Sequence, residues 1–129
     1  MKIPVRVYYQ DTDAGGVVFH AQYLAFMERA RTELLSESGI DLARFAERHR
    51  LLFMVHRIVV DYHAPAKLND LLSVGAEVVK MGRASLVFRH RVERGPELLV
   101  EADVTLALVD QDRMRPARMP EELQLALKT

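Results

Sequence analysis

Apolar and polar residues alternate with a period of two in five segments of the chain, and this pattern is the strongest constraint on its fold. The segments cover residues 3–9, 53–62, 72–78, 86–93 and 98–108. A period of two is that of a β-strand with one buried face. The clearest segment places six apolar residues on one side: Leu98, Val100, Ala102, Val104, Leu106 and Leu108. One-sided alternation predicts an antiparallel sheet that is covered on a single face.

Between the first two strand segments the apolar period changes to that of an α-helix. The apolar residues recur at i, i+3, i+4, i+7 and i+11, and they are Tyr23, Phe26, Met27, Ala30 and Leu34. This spacing predicts a long helix from Ala21 to about Ser38, with Gly39 as its stop. A shorter helix is predicted from Asp41, as N-cap, to about His49, and a helical turn over 121–127.

Short turns at residues 81–83 and 94–96 are expected to join the last three strands into an antiparallel meander. Residues 1–129 amount to one domain by length. We therefore expect a single α+β domain in which a curved, five-stranded antiparallel sheet wraps around one long helix.

Composition narrows the function classes. Eighteen Lys and Arg balance eighteen Asp and Glu, which gives no electrostatic reason to expect a nucleic acid or an anionic membrane as partner. Cysteine is absent, so there is neither a disulfide framework nor a thiol nucleophile. The first residues lack the apolar core of a signal peptide, and no apolar run is long enough to cross a membrane. These features predict a cytoplasmic protein without membrane insertion, and a near-neutral, half-apolar chain of this size is expected to self-associate.

Residues 9–20 combine two acids, two glycines and a histidine directly before the long helix. The first N–H groups of a helix lack intrahelical partners and lie at the positive end of its dipole, so they suit an oxyanion. A carboxylate beside them, Asp11 or Asp13, could act as general base or nucleophile on a polarised carbonyl. Turn formation and helix capping explain the same residues without any catalytic role.

Residues 8–24, continuing to Arg31, closely resemble the signature of the 4-hydroxybenzoyl-CoA thioesterase family. The pattern is Asp-x-Asp-x-x-Gly-x-Val-x-His-x-x-Tyr, from Asp11 to Tyr23. The likeness is greatest to the acyl-CoA thioesterase branch associated with the Tol-Pal cell-envelope system. It implies the hotdog fold and hydrolysis of an acyl-CoA to a carboxylic acid and free CoA, with water as co-substrate and no cofactor.

The resemblance also implies roles for residues of the signature. The catalytic carboxylate of the family falls on Asp13, as nucleophile or as general base, whereas Asp11 is assigned to the turn. His20 is the second catalytic residue that the resemblance implies: its backbone N–H is expected to bind the thioester oxygen, and its ring is expected to position water or substrate. Gly16 and Val17 are expected to contact the substrate.

A second set of candidates lies in the hairpin at residues 81–85. The hydroxybenzoyl branch has a basic run there that contacts the phosphates of CoA. In this chain Arg83 alone keeps a charge, between Gly82 and Ala84, which departs from that run. Arg83 and Ser85 are therefore the substrate-binding candidates of this hairpin.

The resemblance implies a homodimer or a homotetramer with the site at the subunit interface, so that Arg83 would serve the neighbouring subunit. Acyl-CoA is the expected substrate, and acyl carrier protein is a possible partner. No metal is expected, because His56, His63 and His90 lack ligand spacing. Two alternatives stay open: a hotdog dehydratase acting on 3-hydroxyacyl thioesters, and a non-catalytic protein that binds acyl groups or acyl carrier protein. Short aliphatic, long aliphatic and aromatic acyl groups all stay open, and the resemblance to this branch favours an aliphatic one.

Overall fold

A computed structural model describes residues 1–128; Thr129, the last residue of the predicted domain, lies outside the described residues. The three helices are α1 (Gln22–Glu37), α2 (Leu42–His49) and α3 (Glu121–Leu127). The strands are β1 (Lys2–Arg6), β2 (Leu51–Tyr62), β3 (Leu71–Gly75), β4 (Glu77–Met81), β5 (Ser85–Arg94), β6 (Glu97–Asp110) and β7 (Arg115–Pro116). A 3₁₀ turn at Tyr9–Asp11 precedes α1.

All strands form one antiparallel sheet in the order β1-β3-β5-β6-β2, with β4 also paired to β5 and β7 to β6. The predicted α+β architecture and the meander of the last three strand segments are confirmed. Four of the five predicted strands correspond to one strand of the sheet each, namely β1, β2, β5 and β6. The fifth forms two strands, β3 and β4, which both pair with β5. The short strand β7 was not predicted, because two residues are too few to show a period.

Two predicted strands differ from the structure in extent. The first ends at Arg6 rather than Tyr9, because the next backbone N–H groups bond outside the sheet ladder: Val7 to the Asp70 carbonyl, and Tyr8 to the Asp11 carboxylate. The segment predicted at 72–78 is divided between β3 and β4. At this break the N–H of Ala76 donates to the Met1 carbonyl, and the Gly75 carbonyl accepts a hydrogen bond from the His90 ring.

Helix α1 covers the concave side of the sheet, as its apolar period predicts. Phe26, Met27 and Ala30 are completely buried, and Tyr23 nearly so. Complete burial of side chains as large as Phe26 and Met27 stabilises the fold by about 1.5–3 kcal/mol each. One part of the core surrounds the first half of α1, and another lies between its second half, α2 and α3.

Strand β2 lies at one end of the sheet and pairs with β6 alone. The sequence predicts a half-buried strand here, but most of its apolar side chains are exposed, Val55 to 52% and Val59 to 47%. None of the helices within residues 1–128 has both the length and the apolar character needed to cross a membrane.

Candidate active site

The segment between β1 and α1 folds back on itself because Asp11 holds both of its ends. Asp11 is buried, and its two carboxylate oxygens accept from the Tyr8 N–H (2.8 Å) and from Gln22 Nε2 (3.0 Å). Its carbonyl accepts from the Phe19 N–H at 3.0 Å. With two donors on one carboxylate, Asp11 joins the end of β1 to the first turn of α1.

Asp13 lies at the tip of the same segment and is exposed. Its Oδ1 accepts from the Gly15 N–H at 2.8 Å, and its backbone bonds to Val17 (2.9 Å) and Gly16 (3.1 Å). Gly16 adopts a φ of +78°, which L side chains rarely take, and a Cβ at Gly15 would approach Asp13 Oδ1 to 3.2 Å. The other oxygen, Oδ2, has no hydrogen-bond partner among residues 1–128.

His20 lies at the entrance to α1, two residues before the first helical residue. Within the described part of the chain its backbone N–H has no acceptor. The Tyr62 hydroxyl donates to the His20 carbonyl at 2.9 Å, so the peptide on the other side of His20 is held from β2. The free N–H therefore belongs to a residue, His20, that is positioned both by the start of α1 and by the contact with β2.

An open cavity of about 300 Å³ adjoins His20 and is lined by Val18, Tyr23, Tyr62 and residues 63–65. Burial raises the pKa of the Tyr62 phenol, so its hydroxyl remains a donor at neutral pH. Tyr62 was not predicted to be part of this site. Its position at the end of a strand offered no local signal, because only the pairing of β2 with β6 brings it to α1.

Val17 contributes to the same segment through the backbone. It is half-buried and forms an isolated β-bridge with Lys67, while the neighbouring Val18 N–H donates to the Ala66 carbonyl at 2.9 Å. These bonds place the residues around Gly16 and Val17 against the loop that follows β2. Asp13, Gly16, Val17 and His20 thus lie in one continuous segment, and of these four residues His20 alone lines the cavity.

Arg83 and Ser85 lie at the opposite end of the sheet. The far end of β5 is the one near the cavity, since Arg94 donates to the carbonyl of Pro65, which lines it. Ser85 and Arg94 are the first and last of the ten residues of β5, so they are nine positions apart, a span of about 30 Å. A single chain therefore does not bring Arg83 or Ser85 to Asp13.

The hairpin that carries Arg83 is well defined. The Gly82 N–H donates to the Ser85 carbonyl at 2.8 Å, and the Met119 N–H donates to the Arg83 carbonyl at 2.7 Å. A Cβ at Gly82 would come within 2.6 Å of Ser85 Oγ, so a side chain at this position would require the Ser85 hydroxyl to turn away. The Arg83 side chain is exposed at this remote end of the sheet.

A protein-family sequence model described as the thioesterase superfamily matches residues 15–101, two thirds of the sequence. The chain belongs to that superfamily. A relative from Haemophilus influenzae named acyl-CoA thioesterase YbgC is 46% identical over 123 residues, covering 95% of this chain and 90% of the relative. A protein from Escherichia coli named acyl-CoA thioester hydrolase YbgC is 46% identical over 127 residues, covering 97% and 93%.

Solved structures of thioesterases share the fold. A probable thioesterase from Bartonella henselae superposes with a TM-score of 0.88 at 32% identity, covering 93% of this chain and 98% of that one. A 1,4-dihydroxy-2-naphthoyl-CoA thioesterase from Synechocystis superposes with a TM-score of 0.90 at 22% identity, covering 98% and 93%. The hotdog fold expected from the sequence signature is confirmed.

Proposed function

We propose that this chain hydrolyses acyl-CoA thioesters at the start of α1, with Asp13 as its catalytic carboxylate. The observation that carries the assignment is the N–H of His20 at the helix entrance, which is unpaired within residues 1–128, with Asp13 in the hairpin that leads to it. The activity itself, acyl-CoA thioesterase, was predicted from the sequence signature and is confirmed by the relatives of that name.

The N–H groups at the start of α1 act as the oxyanion site. A thioester oxygen bound to the His20 N–H gains negative charge as the carbonyl carbon becomes tetrahedral, and the helix dipole favours that charge. Tyr62 acts as a positioning residue, because its hydroxyl holds the His20 carbonyl and so orients the peptide. Gly16 and Val17, between Asp13 and His20 in the sequence, are the proposed backbone contacts of the thioester, because a glycine allows a ligand to approach the main chain closely.

Asp13 promotes the attack on the thioester carbonyl carbon through its free Oδ2. As general base it accepts a proton from water, whose oxygen bonds to the carbonyl carbon; the C–S bond then breaks and the CoA thiolate takes up a proton. As nucleophile it bonds to the carbonyl carbon itself and displaces the thiolate, and water then cleaves the resulting anhydride. The Gly15 N–H on Oδ1 orients the carboxylate for either route.

The exposed edge of β2 supports a homodimer as the functional unit. A twelve-residue end strand with exposed valines offers unpaired backbone groups and apolar side chains to a second copy. An isologous pairing of two β2 edges satisfies both at once, and two such dimers would make a tetramer. In this assembly Arg83 and Ser85 serve the partner's site, where Arg83 meets the phosphates of CoA.

We also propose that residues 1–129 form one hotdog domain that works in the cytoplasm. Acyl carrier protein is a second thioester donor to test, because it presents the same acyl–phosphopantetheine linkage as CoA.

Release of free thiol from an acyl-CoA series tests the catalytic assignment. Asp13→Asn is expected to lower kcat by a hundredfold or more, in keeping with the roughly 10²–10⁴ that a general base contributes. Asp112→Asn is the matched control, because that exposed aspartate pairs with Arg50 in the turn that leads to β7. Hydrolysis by Asp13→Asn at the wild-type rate would show that another group is the catalyst.

The same samples separate the competing activities. A dehydratase would change the double bond of an enoyl or 3-hydroxyacyl thioester without releasing thiol, and a binding protein would bind acyl-CoA with no turnover. An acyl adduct on Asp13, seen by mass spectrometry of enzyme quenched during turnover, would identify the nucleophilic route.

A further inference from the structure

Arg31 is a buried cation that meets no carboxylate of residues 1–128. It lies on α1, is 7% exposed, and takes part in none of the salt bridges of this part of the chain. Its Nη1 lies 3.1 Å from His90 Nε2, and His90 Nδ1 lies 2.9 Å from the Gly75 carbonyl. The carbonyl can only accept, so Nδ1 carries the ring proton and Nε2 accepts from Arg31. The hydrogen-bond partner of the guanidinium is thus neutral.

This arrangement leaves most of the guanidinium unsatisfied by the described residues. Arginine has five N–H donors, and one is engaged with His90. Burial lowers the pKa of Arg31, and the charge of Glu28 one turn earlier partly opposes this change. Arginine nevertheless stays protonated in proteins. Its free nitrogens are not sealed from solvent, since Glu93 Oε1 is the one side-chain atom among the described residues that is fully buried without a hydrogen-bond partner. An anionic group in the space that these nitrogens face could therefore reach them and pair with the charge.

Arg31 borders a cavity of about 210 Å³ between α1 and the sheet, here called the arginine cavity. Its other walls are mainly apolar, with Leu24 and Ala25 from α1, Val55 and Ile58 from β2, and Val104 from β6. Glu28 is the second charged residue of the lining and is itself exposed. The arginine cavity therefore combines walls that suit a hydrocarbon chain with a buried cation.

The arginine cavity follows the candidate active site along the same two elements. Tyr62, at the end of β2, bonds to His20, whereas Ile58 and Val55 lie farther back along β2 and face Leu24 and Arg31. His20 and Arg31 are eleven residues apart, about 16 Å along a helix. An extended chain advances about 1.2 Å per bond, so this distance corresponds to roughly a dozen bonds.

We infer that the arginine cavity binds a carboxylate at the far end of the acyl chain, so that acyl-CoA thioesters with a terminal carboxylate are a preferred substrate class. The inference rests on the proposed function, since it requires the thioester to lie at His20. A chain that enters there passes the apolar walls between α1 and β2 and brings its second carboxylate to the guanidinium of Arg31. Arginine binds carboxylates with two parallel hydrogen bonds, which makes it a specific receptor for this group.

The test compares two substrates of equal length, dodecanedioyl-CoA and dodecanoyl-CoA, by thiol release. The wild-type enzyme is expected to show a higher kcat/KM for the dioyl substrate. In Arg31→Met the ratio of the two kcat/KM values is expected to fall at least about tenfold, as the loss of a charged hydrogen bond implies. His90→Gln, which keeps Arg31 and a group that can accept from it, is expected to retain the preference.

A wild-type enzyme that hydrolyses dodecanoyl-CoA but shows no preference for the dioyl substrate would overturn this inference and leave the proposed function standing. The inference would also fail if Arg31→Met kept the wild-type ratio. If Arg31→Met does not fold, the wild-type ratio decides alone.

Binding of the free acids gives a second measurement that needs no turnover. Titration calorimetry is expected to show tighter binding of dodecanedioate than of dodecanoate to the wild-type protein. Equal or undetectable binding of the two acids would contradict a carboxylate site, and would point to a protein carboxylate from a second copy as the partner of Arg31. Absence of hydrolysis of both CoA substrates, with selective binding of the diacid, would instead contradict the proposed function and support the cavity.

Discussion

Asp11 and Asp13 are two positions apart and have the same side chain, but they have opposite surroundings. Asp11 is buried with both oxygens bonded to donors at the exit of β1 and on α1, whereas Asp13 is exposed, with one oxygen free of partners among residues 1–128. A carboxylate that is fully engaged cannot approach a substrate, and one with a free oxygen can. Their environments therefore support a structural role for Asp11 and leave Asp13 available for the catalytic role proposed above.

This division predicts different consequences for the two substitutions. Asp11→Ala removes the acceptor of the Tyr8 N–H and of Gln22, so it is expected to lower the free energy of unfolding by about 1–3 kcal/mol. Asp13→Ala loses a single bond to Gly15 at an exposed position and is expected to change that free energy by less than about 0.5 kcal/mol. Urea unfolding of both variants measures the difference. Equal destabilisation by the two variants would refute the structural role given to Asp11.

Among the contacts between elements, the hydrogen bond between Arg31 and His90 connects α1 to β5. His90 is completely buried, and its ring bonds on one side to the helix and on the other to the Gly75 carbonyl of β3. Burial, and to a lesser degree the neighbouring charge of Arg31, lowers the pKa of His90 from 6.5 to about 4. The imidazole is therefore neutral in the folded protein at physiological pH.

The lowered pKa makes stability depend on pH in acid. Between about pH 6.5 and pH 4 the unfolded chain binds a proton at His90 and the folded chain does not, so the free energy of unfolding falls as the pH falls through this window. A pKa difference of this size between the unfolded and the folded chain lowers the free energy of unfolding by about 3 kcal/mol once the whole window has been crossed. His90→Gln keeps a donor and an acceptor but does not titrate. We expect its unfolding free energy to decline less steeply over the window than that of the wild type, and parallel curves would contradict this account.

For the molecule as an assembly, the open edge of β2 and the distant Arg83 point to the same arrangement. The edge leaves backbone groups of a long strand without partners among residues 1–128, and the span of β5, about 30 Å, keeps Arg83 from its own chain's Asp13. The homodimer proposed above, paired at β2, would cover the open edge, and it is the assembly in which we propose that Arg83 serves the partner's site.

A charge on the β2 edge is expected to weaken that assembly. Val59→Lys would put a lysine from each copy into the edge that the proposed dimer buries, so the dissociation constant of the dimer should rise at least about tenfold. Val79→Lys is a matched control, since Val79 is a similarly exposed valine on β4. Sedimentation velocity over a concentration series measures both. A dimer that tolerates Val59→Lys as well as Val79→Lys would place the interface elsewhere.

Complementation between two impaired chains tests whether the site is shared. If Arg83 acts on the partner's site, a heterodimer of Asp13→Asn and Arg83→Ala chains contains one site with both native residues. Mixing the two variants after dissociation is then expected to restore activity above the sum of the separate samples. If Arg83 acted within its own chain, each site of the heterodimer would still lack either the native Asp13 or the native Arg83. Mixing would then restore no activity.

The amino-acid sequence alone predicted the main strand segments of the sheet, the long helix, and the turn-forming segment from Asp11 to His20. Each of these depends on neighbours in sequence: the side-chain periods of about 2.0 and 3.6 are properties of local backbone geometry, and the hairpin with its glycines is closed by hydrogen bonds between residues a few positions apart. Hence α1 is predicted to within a residue at each end, and the hairpin that carries Asp13 is predicted to lead directly to His20.

Packing in three dimensions settled what depends on residues distant in sequence. The break of the third strand segment at Ala76 follows from a bond to Met1 and from the His90 ring, and neither leaves a trace in the local pattern. The same holds for Tyr62 at His20, and for the exposure of β2, which follows from its place at the end of the sheet. The unpaired charge of Arg31 within residues 1–128 is likewise visible only when α1 is packed on the sheet, because burial is set by what covers a residue and not by its period.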